Sequence, residues 1–142
     1  MTPIEFRRHL HAHPELSFRE HDTAAFIARQ LDELGIAHRP VAGTGVLATI
    51  PGRRAQGAER RAVVLRADID ALPVTEQTGL GYTSQNAGVM HACGHDGHTA
   101  TGLGLAHWIA DHKDDLNGKI RLIFQPAEEG TRGASAMTAA GV

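Results

Sequence analysis

The stretch AVVLRADID, residues 62–70, decides the fold class because it joins an apolar strand to a pair of acids. Residues 62–67 are apolar except for Arg66, a composition typical of a strand covered on both faces in the middle of a sheet. Asp68 and Asp70 follow at the C-terminal end of this strand, where open α/β sheets carry their chemistry. The stretch therefore predicts an α/β sheet with a functional site at its strand ends.

Helical and strand patterns alternate on both sides of this strand. Helices are predicted between Thr2 and Pro14 and over residues 19–34, 96–116 and 133–140, and further strands over 36–41, 46–50 and 119–125. Thr2 and Glu5 form a capping box for the first helix, Asp96 is the predicted N-cap of the third, and arginine-rich residues 53–61 are expected to form an exposed loop. We therefore predict an α/β fold with a largely parallel mixed sheet flanked by helices.

Composition limits the class of protein. The chain has 142 residues, of which 42% are hydrophobic and 21% charged, as in one globular domain. A formal net charge of −2 gives no electrostatic case for a nucleic acid or an anionic membrane as partner. There is no apolar run of roughly 20 residues that would span a membrane, and the N-terminus lacks the apolar core of a signal peptide. The expected location is the cytoplasm.

Potential metal ligands are concentrated in MHACGHDGH, residues 90–98, which holds the only cysteine and three of the ten histidines. Cys93 and His95 are two residues apart with a glycine between them, so their side chains can converge on a divalent ion that takes sulfur and nitrogen ligands. The alternative is a polar loop with an inert thiol. A redox role for Cys93 is disfavoured because there is no second cysteine to resolve an oxidised thiol.

A second acidic group, Glu128 and Glu129, follows the predicted strand 119–125. Successive residues of an extended segment point in opposite directions, so one carboxylate can face a metal while the other acts as a general base on water. Asp68 and Asp70 have two other interpretations. A calcium loop would need a glycine at its sixth position, where Pro73 stands. A phosphatase with Asp68 as nucleophile would leave Cys93, His95 and the glutamates unused, and Leu72 stands where such enzymes have threonine or valine.

Four motifs carry a resemblance to a known family: RRHLHAHPE (7–15), RADIDALP (66–73), MHACGHDGH (90–98) and QPAEEG (125–130). Together they resemble the amidohydrolase branch of the co-catalytic metallopeptidases, which contains hippurate hydrolases, N-acyl-amino-acid amidohydrolases and plant auxin-conjugate hydrolases. The resemblance implies a zinc-exopeptidase-like catalytic domain and hydrolysis of the amide bond of an N-acyl amino acid, a small-molecule substrate.

The resemblance also implies roles for individual residues. Cys93, His95 and Glu129 would be metal ligands, Glu128 the general base, and Asp70 a carboxylate that orients the site. Two divalent ions are expected per full-length subunit, zinc or manganese, with cobalt or nickel in some members. The neighbouring histidines 91 and 98 are expected to support the site rather than bind metal, and histidines 9, 11 and 13 to be surface or local structural residues.

Members of this family are much longer than 142 residues. The resemblance therefore implies that residues 1–142 form the N-terminal part of a catalytic domain. The lid and dimerisation domain, the C-terminal strands and two further histidine ligands would lie outside them. We expect the isolated chain to be inactive or nearly so, and its full-length parent to be a homodimeric enzyme. The alternatives are a metallo-dipeptidase or carboxypeptidase of the same superfamily, or a non-catalytic metal-binding fragment.

Overall fold

The elements follow the predicted order closely. A computed structural model of the chain describes residues 1–52, 62–130 and 132–142, so the predicted loop at 53–61 lies outside the described part. Helices α1 to α4 span Pro3–Ala12, His21–Glu33, His95–His112 and Gly133–Ala139. Strands β1 to β4 span His38–Val41, Gly45–Pro51, Ala62–Asp68 and Lys119–Gln125. A 3-10 turn, Lys113–Asp115, follows α3.

The four strands form one mixed sheet in the order β1-β2-β4-β3. Strand β3 runs parallel to β4, with Asp68 opposite Gln125, whereas β1–β2 and β2–β4 are antiparallel. The α/β class and the helix-flanked mixed sheet are confirmed, but the expected predominance of parallel pairing is wrong for this sheet. The tight turn after β1, with Ala42 at φ +51° and Gly43 at φ +84°, folds β2 back along β1 and accounts for the first antiparallel pair. Within the described residues, β3, α3 and β4 form the one parallel crossover.

Helices α1, α2 and α3 cover one face of the sheet with a continuous apolar core. The largest fully buried side chains there include Phe6, Ile27, Leu103 and Phe124. Helix α3 lies so close to β4 that a Cβ atom at Gly102 would come within 2.9 Å of the Phe124 ring. The opposite face carries a smaller cluster around Met137 of α4. The strand ends near the start of α3 are therefore held between packed helices.

Helix termini were partly predicted. The capping box is confirmed, since Glu5 N donates to Thr2 Oγ1 at 3.3 Å and Thr2 N donates to Glu5 Oε2 at 2.7 Å. The prediction of Asp96 as the N-cap of α3 is wrong. Gly94 occupies that position with φ +96°, a backbone conformation that favours glycine, so the helix begins earlier and Asp96 is buried in its first turn.

Among the described residues, no helix is long and apolar enough to cross a membrane.

Strand β3 lies at an edge of this sheet although its composition predicts a central strand. In the part of the chain that the structure describes, β3 pairs with β4 alone. Val63 is 59% exposed and Val64 is 52% exposed, and these neighbours point to opposite faces of the sheet. Both faces of the outer strand thus present apolar side chains to solvent.

Candidate metal centre

Three chain segments meet beyond the C-terminal ends of β3 and β4. The parallel pairing of these strands brings the segments that follow them side by side, and the loop that enters α3 lies against both. The acids and ligand types predicted from the sequence are brought together here: Asp68, Asp70, Cys93, His95, Glu128 and Glu129. Convergence of side chains from distant parts of the sequence is what a metal centre at strand ends requires.

Cys93, His95 and Glu129 form the group best suited to a divalent cation. One ligand atom from each lies within 4.8 Å of those of the other two. His95 Nε2 lies 3.9 Å from Glu129 Oε1, the imidazole is buried, and the thiol of Cys93 is exposed. Thiolate, imidazole and carboxylate are the ligands that zinc and similar ions take in proteins.

Asp70 orients two members of this group. Nδ1 of His95 lies 2.9 Å from the main-chain oxygen of Asp70 and 3.2 Å from Oδ1 of its carboxylate. The other carboxylate oxygen accepts hydrogen bonds from Ser17 Oγ at 2.7 Å and from the main-chain nitrogen of Glu129 at 3.0 Å. With Nδ1 engaged in this way, His95 directs Nε2 toward Cys93 and Glu129. A carboxylate behind a ligating histidine is the usual support of such a ligand.

The ionisable groups reflect a strongly negative environment. Burial raises the pKa of Asp70, but hydrogen bonds from His95 and Ser17 outweigh it and bring the pKa down to about 2. The bond to Asp70 raises the pKa of His95 to about 9 in spite of burial. The adjacent carboxylate of Glu129, together with burial and the carboxylates of Glu128 and Asp68, raises the pKa of the Cys93 thiol. A bound cation would offset the same negative charge and favour the thiolate and the neutral imidazole.

A second group, Asp68, His95 and His98, also has ligand atoms within 4.8 Å of one another. His98 Nδ1 lies 2.5 Å from Asp68 Oδ1, and its ring stacks on that of His95. This group would need the same Nε2 of His95, because Nδ1 is bound to Asp70. The guanidinium of Arg66, 3.2 Å from Asp68 Oδ2, further disfavours a cation there. His98 and Asp68 therefore fit a supporting role beside His95.

The loop that carries Glu128 and Glu129 is anchored by a residue that the sequence analysis missed. Glu20 is fully buried; its carboxylate accepts a hydrogen bond from Ala127 N at 2.8 Å and one from Thr44 Oγ1 at 2.5 Å. Ala127 has φ +51°, an uncommon backbone conformation for a residue with a Cβ. The side chain of Glu128 is more exposed than that of Glu129, at 41% against 22%, and its Oε2 lies 3.7 Å from His95 Nε2.

Ser17 and Glu20 had no local signal, since their partners lie at least 24 residues away in the sequence. His91, expected to support the site, is buried at 5% exposure, and neither ring nitrogen has a hydrogen-bond partner among the described residues. Burial lowers its pKa to about 4. His91 is absent from both ligand groups found in residues 1–52, 62–130 and 132–142.

One buried oxygen of Glu129 indicates that the site fits a cation. Glu129 Oε1 is buried and has no hydrogen-bond partner within the described residues, and it faces His95 Nε2. A buried carboxylate oxygen without a donor is costly, and a cation between it, His95 and Cys93 would remove that cost. The donor set therefore fits a divalent ion.

Fold and site together define an α/β protein with a candidate metal centre at the ends of two parallel strands. The chain belongs to peptidase family M20/M25/M40, whose model matches residues 64–142.

Individual relatives agree with this family and with its amidohydrolase branch. The chain is 56% identical over 133 residues to an N-acetyl-L-cysteine deacetylase of Bacillus subtilis, covering 93% of this chain and 31% of that protein. It is 49% identical over 142 residues to an N-acyl-L-amino acid amidohydrolase of Geobacillus stearothermophilus, covering 98% of this chain and 37% of that protein. The chain thus spans about a third of the length of these curated relatives.

A solved structure has a closely similar fold. The YXEP protein of Bacillus subtilis, described as a dinuclear metal binding peptidase from the M20 family, superposes with a TM-score of 0.91 at 46% identity. The match covers 98% of this chain and 38% of that one. The resemblance found in the four sequence motifs is therefore confirmed at the level of the family.

Proposed function

We propose that the full-length parent of this chain hydrolyses the amide bond of N-acyl amino acids such as hippurate, with divalent metal ions as cofactors. The observation that carries this proposal is the convergence of the Cys93, His95 and Glu129 side chains, with Asp70 in contact with His95. The amidohydrolase and deacetylase relatives support the substrate class, and the dinuclear relative supports two ions per full-length subunit.

In this proposal Cys93, His95 and Glu129 hold an ion, and Asp70 keeps His95 in the tautomer that leaves Nε2 free to bind it. When bound, such ions polarise an amide carbonyl and lower the pKa of water. A thiolate, an imidazole and a carboxylate accept zinc, manganese, cobalt or nickel.

Glu128 is the proposed general base. Its carboxylate is 41% exposed and lies 3.7 Å from His95 Nε2, so it borders both the ligand group and solvent. Glu128 takes a proton from water as the water oxygen bonds to the amide carbon. It returns that proton to the nitrogen as the carbon–nitrogen bond breaks, which yields a carboxylate and a free amino acid. The exposure of Glu128 compared with that of Glu129 supports this division of roles.

Residues 1–142 are proposed to be the N-terminal part of the catalytic domain. The apolar edge strand β3 supports this, because Val63 and Val64 are exposed although the strand has the composition of a central one. A neighbouring strand from the longer protein would cover it. We propose that the remaining histidine ligands and the lid also belong to the rest of the longer protein. We propose further that this full-length parent is a homodimer.

The test compares the 142-residue chain with its full-length parent. Hippurate hydrolysis by the parent should fall by several orders of magnitude in Glu128→Gln with metal content unchanged, whereas Glu129→Gln should lose metal. Glu33→Gln, a change in an exposed glutamate of α2, serves as control. The isolated chain should bind an ion without turnover. Metal-free parent protein, or turnover that is independent of Glu128, would overturn the proposal.

A peptidase is the second candidate, favoured by the description of the YXEP protein. Dipeptides and N-acyl amino acids should be compared in the same assay. A kcat/KM for dipeptides above that for hippurate and related N-acyl amino acids would assign the parent to dipeptidase or carboxypeptidase chemistry with the same Glu128 base. An isolated chain and parent that both bind metal without any turnover would identify a non-catalytic metal-binding protein.

A further inference from the structure

Asp96, next to the candidate ligand His95, is buried against helix α1. Its Oδ2 lies 2.7 Å from His11 Nδ1 and 3.1 Å from Arg7 Nε, and the residue is 1% exposed. Arg7 and His11 are four residues apart, so they lie on the same side of α1. Two donors from one helix therefore hold the first turn of another.

The same network continues beyond α1. His11 Nε2 lies 3.1 Å from Glu76 Oε1, and the other oxygen of Glu76 accepts a hydrogen bond from Ser84 N at 2.6 Å. Glu76 thus connects the loop between β3 and α3 to His11 by hydrogen bonds. Glu76 and Asp96 engage opposite ring nitrogens, so the ring of His11 is held from both sides.

Close helix packing makes α1 a firm support for this network. A Cβ atom at Gly104 of α3 would come within 2.9 Å of Pro3, so the two helices approach too closely for a side chain there. Phe6 of α1 is completely buried, and its ring centroid lies 5.5 Å from that of His107 in α3 and 6.1 Å from that of Phe26 in α2. Movement of the first turn of α3 would therefore require α1 to move as well.

We propose that Asp96 is a positioning residue for the metal centre: Arg7 and His11 hold it, and it fixes the turn from which His95 directs Nε2 at Cys93 and Glu129. Successive helical residues point about 100° apart, so Asp96 faces α1 while His95 faces the strand ends. Asp70 orients the imidazole ring, and Asp96 sets the backbone from which the ring projects. The inference rests on the proposed metal centre.

This role differs from that of a helix cap or a purely structural ion pair. A residue that only stabilises the fold changes the unfolding temperature and leaves metal affinity in the folded state unchanged. A positioning residue changes the affinity and the ligand geometry at temperatures where the variant is fully folded. Loss of groups that support metal ligands weakens binding about 10- to 100-fold, and Asp96, which acts through the backbone, should lie near the lower figure.

The experiment is a Co²⁺ titration of the 142-residue chain, followed by absorption below the unfolding temperature of each variant. Asp96→Asn should weaken binding about tenfold and alter the d–d bands while the thiolate charge-transfer band of Cys93 persists. Arg7→Gln, which removes one donor from a side chain 44% exposed, should give a smaller change in the same direction without impairing folding. Asp111→Asn, the same substitution at an exposed position of α3, is the matched control and should bind Co²⁺ as the unmodified chain does.

The outcomes separate this inference from the function on which it rests. If the unmodified chain binds no Co²⁺ through Cys93, the proposed metal centre fails and the positioning role fails with it. If the unmodified chain binds Co²⁺ and both Asp96→Asn and Arg7→Gln match its affinity and spectrum, the metal centre stands and the positioning role is overturned. Weaker binding in both variants, with Asp111→Asn unchanged, supports the inference.

Discussion

Asp70 contacts His95 with two acceptors at once, its main-chain oxygen at 2.9 Å and its carboxylate Oδ1 at 3.2 Å from Nδ1. The same carboxylate receives the main-chain N–H of Glu129. One side chain thus sets the direction of two candidate ligands that lie 34 residues apart in the sequence. Hydrogen bonds within the protein thus hold the ligand side chains of the candidate metal centre in place.

Replacing Asp70 tests this preparation. Asp70→Asn leaves one side-chain oxygen where two are needed, so either His95 keeps only the main-chain oxygen of residue 70 as acceptor, or the Ser17 and Glu129 donors lose theirs. We expect metal affinity to fall about 10- to 100-fold. Isothermal titration with Zn²⁺ would measure this, and Asp111→Asn provides the matched control. An unchanged affinity would show that Asp70 does not orient the ligands.

The pH dependence of metal binding follows from the pKa of His95. Because that pKa is about 9 in the metal-free chain, the imidazole is protonated below about pH 9 and a cation must displace the proton. Apparent affinity should therefore rise with pH, by up to about tenfold per unit for each proton released, until about pH 9. The raised pKa of Cys93 adds a second proton in the same direction. Calorimetry in two buffers of different ionisation enthalpy would count these protons, and a flat profile would contradict the assignment.

Glu20 provides a prediction about stability. Glu20→Ala leaves the Ala127 N–H and the Thr44 hydroxyl without their buried acceptor. An unpaired buried polar group costs about 1–3 kcal/mol, so we expect the free energy of unfolding to fall by about 2 kcal/mol or more. Urea denaturation would measure the change. Glu33→Gln, at an exposed position of α2, keeps an acceptor for the Gln30 side chain and should alter stability by less than about 0.5 kcal/mol.

The free edge of β3 predicts self-association of the isolated chain. An exposed apolar edge strand pairs readily with another strand, and a lysine on it prevents this. Val64→Lys, at a side chain 52% exposed, should shift the sedimentation profile of concentrated protein toward monomer. Ile4→Lys makes the same kind of change at a 64% exposed residue of α1 and should have no effect. Monomeric unmodified chain at every concentration would contradict the prediction.

Local sequence signals predicted the elements well and their pairing less well. The capping box of Thr2 and Glu5 and the strand Lys119–Gln125 are encoded within a few residues, and both were predicted correctly. Asp96 was misassigned because an aspartate before an apolar helical pattern resembles an N-cap. Its actual partner, His11, lies 85 residues away. The antiparallel pairing of β2 with β4 likewise has no signature in either strand alone.

The candidate site also combines residues that the sequence predicted with residues that it did not. The ligand types of Cys93, His95 and Glu129 stand out in the sequence because thiol, imidazole and carboxylate groups are dense there. The groups behind them do not: Ser17 and Glu20 look like ordinary polar residues, and only the fold brings them to Asp70 and to the loop after β4. Residues that act through distant contacts were therefore missed.

The hydrogen bond from Ala127 to Glu20 spans 107 residues, and this separation sets an order of events during synthesis. At a translation rate of about 5–20 residues per second, Glu20 leaves the ribosome about 5–20 s before its partner. During that interval Glu20 can reach Thr44, but the loop after β4 that its carboxylate also anchors does not yet exist. The candidate metal centre consequently cannot assemble until the loop after β4 has been synthesised.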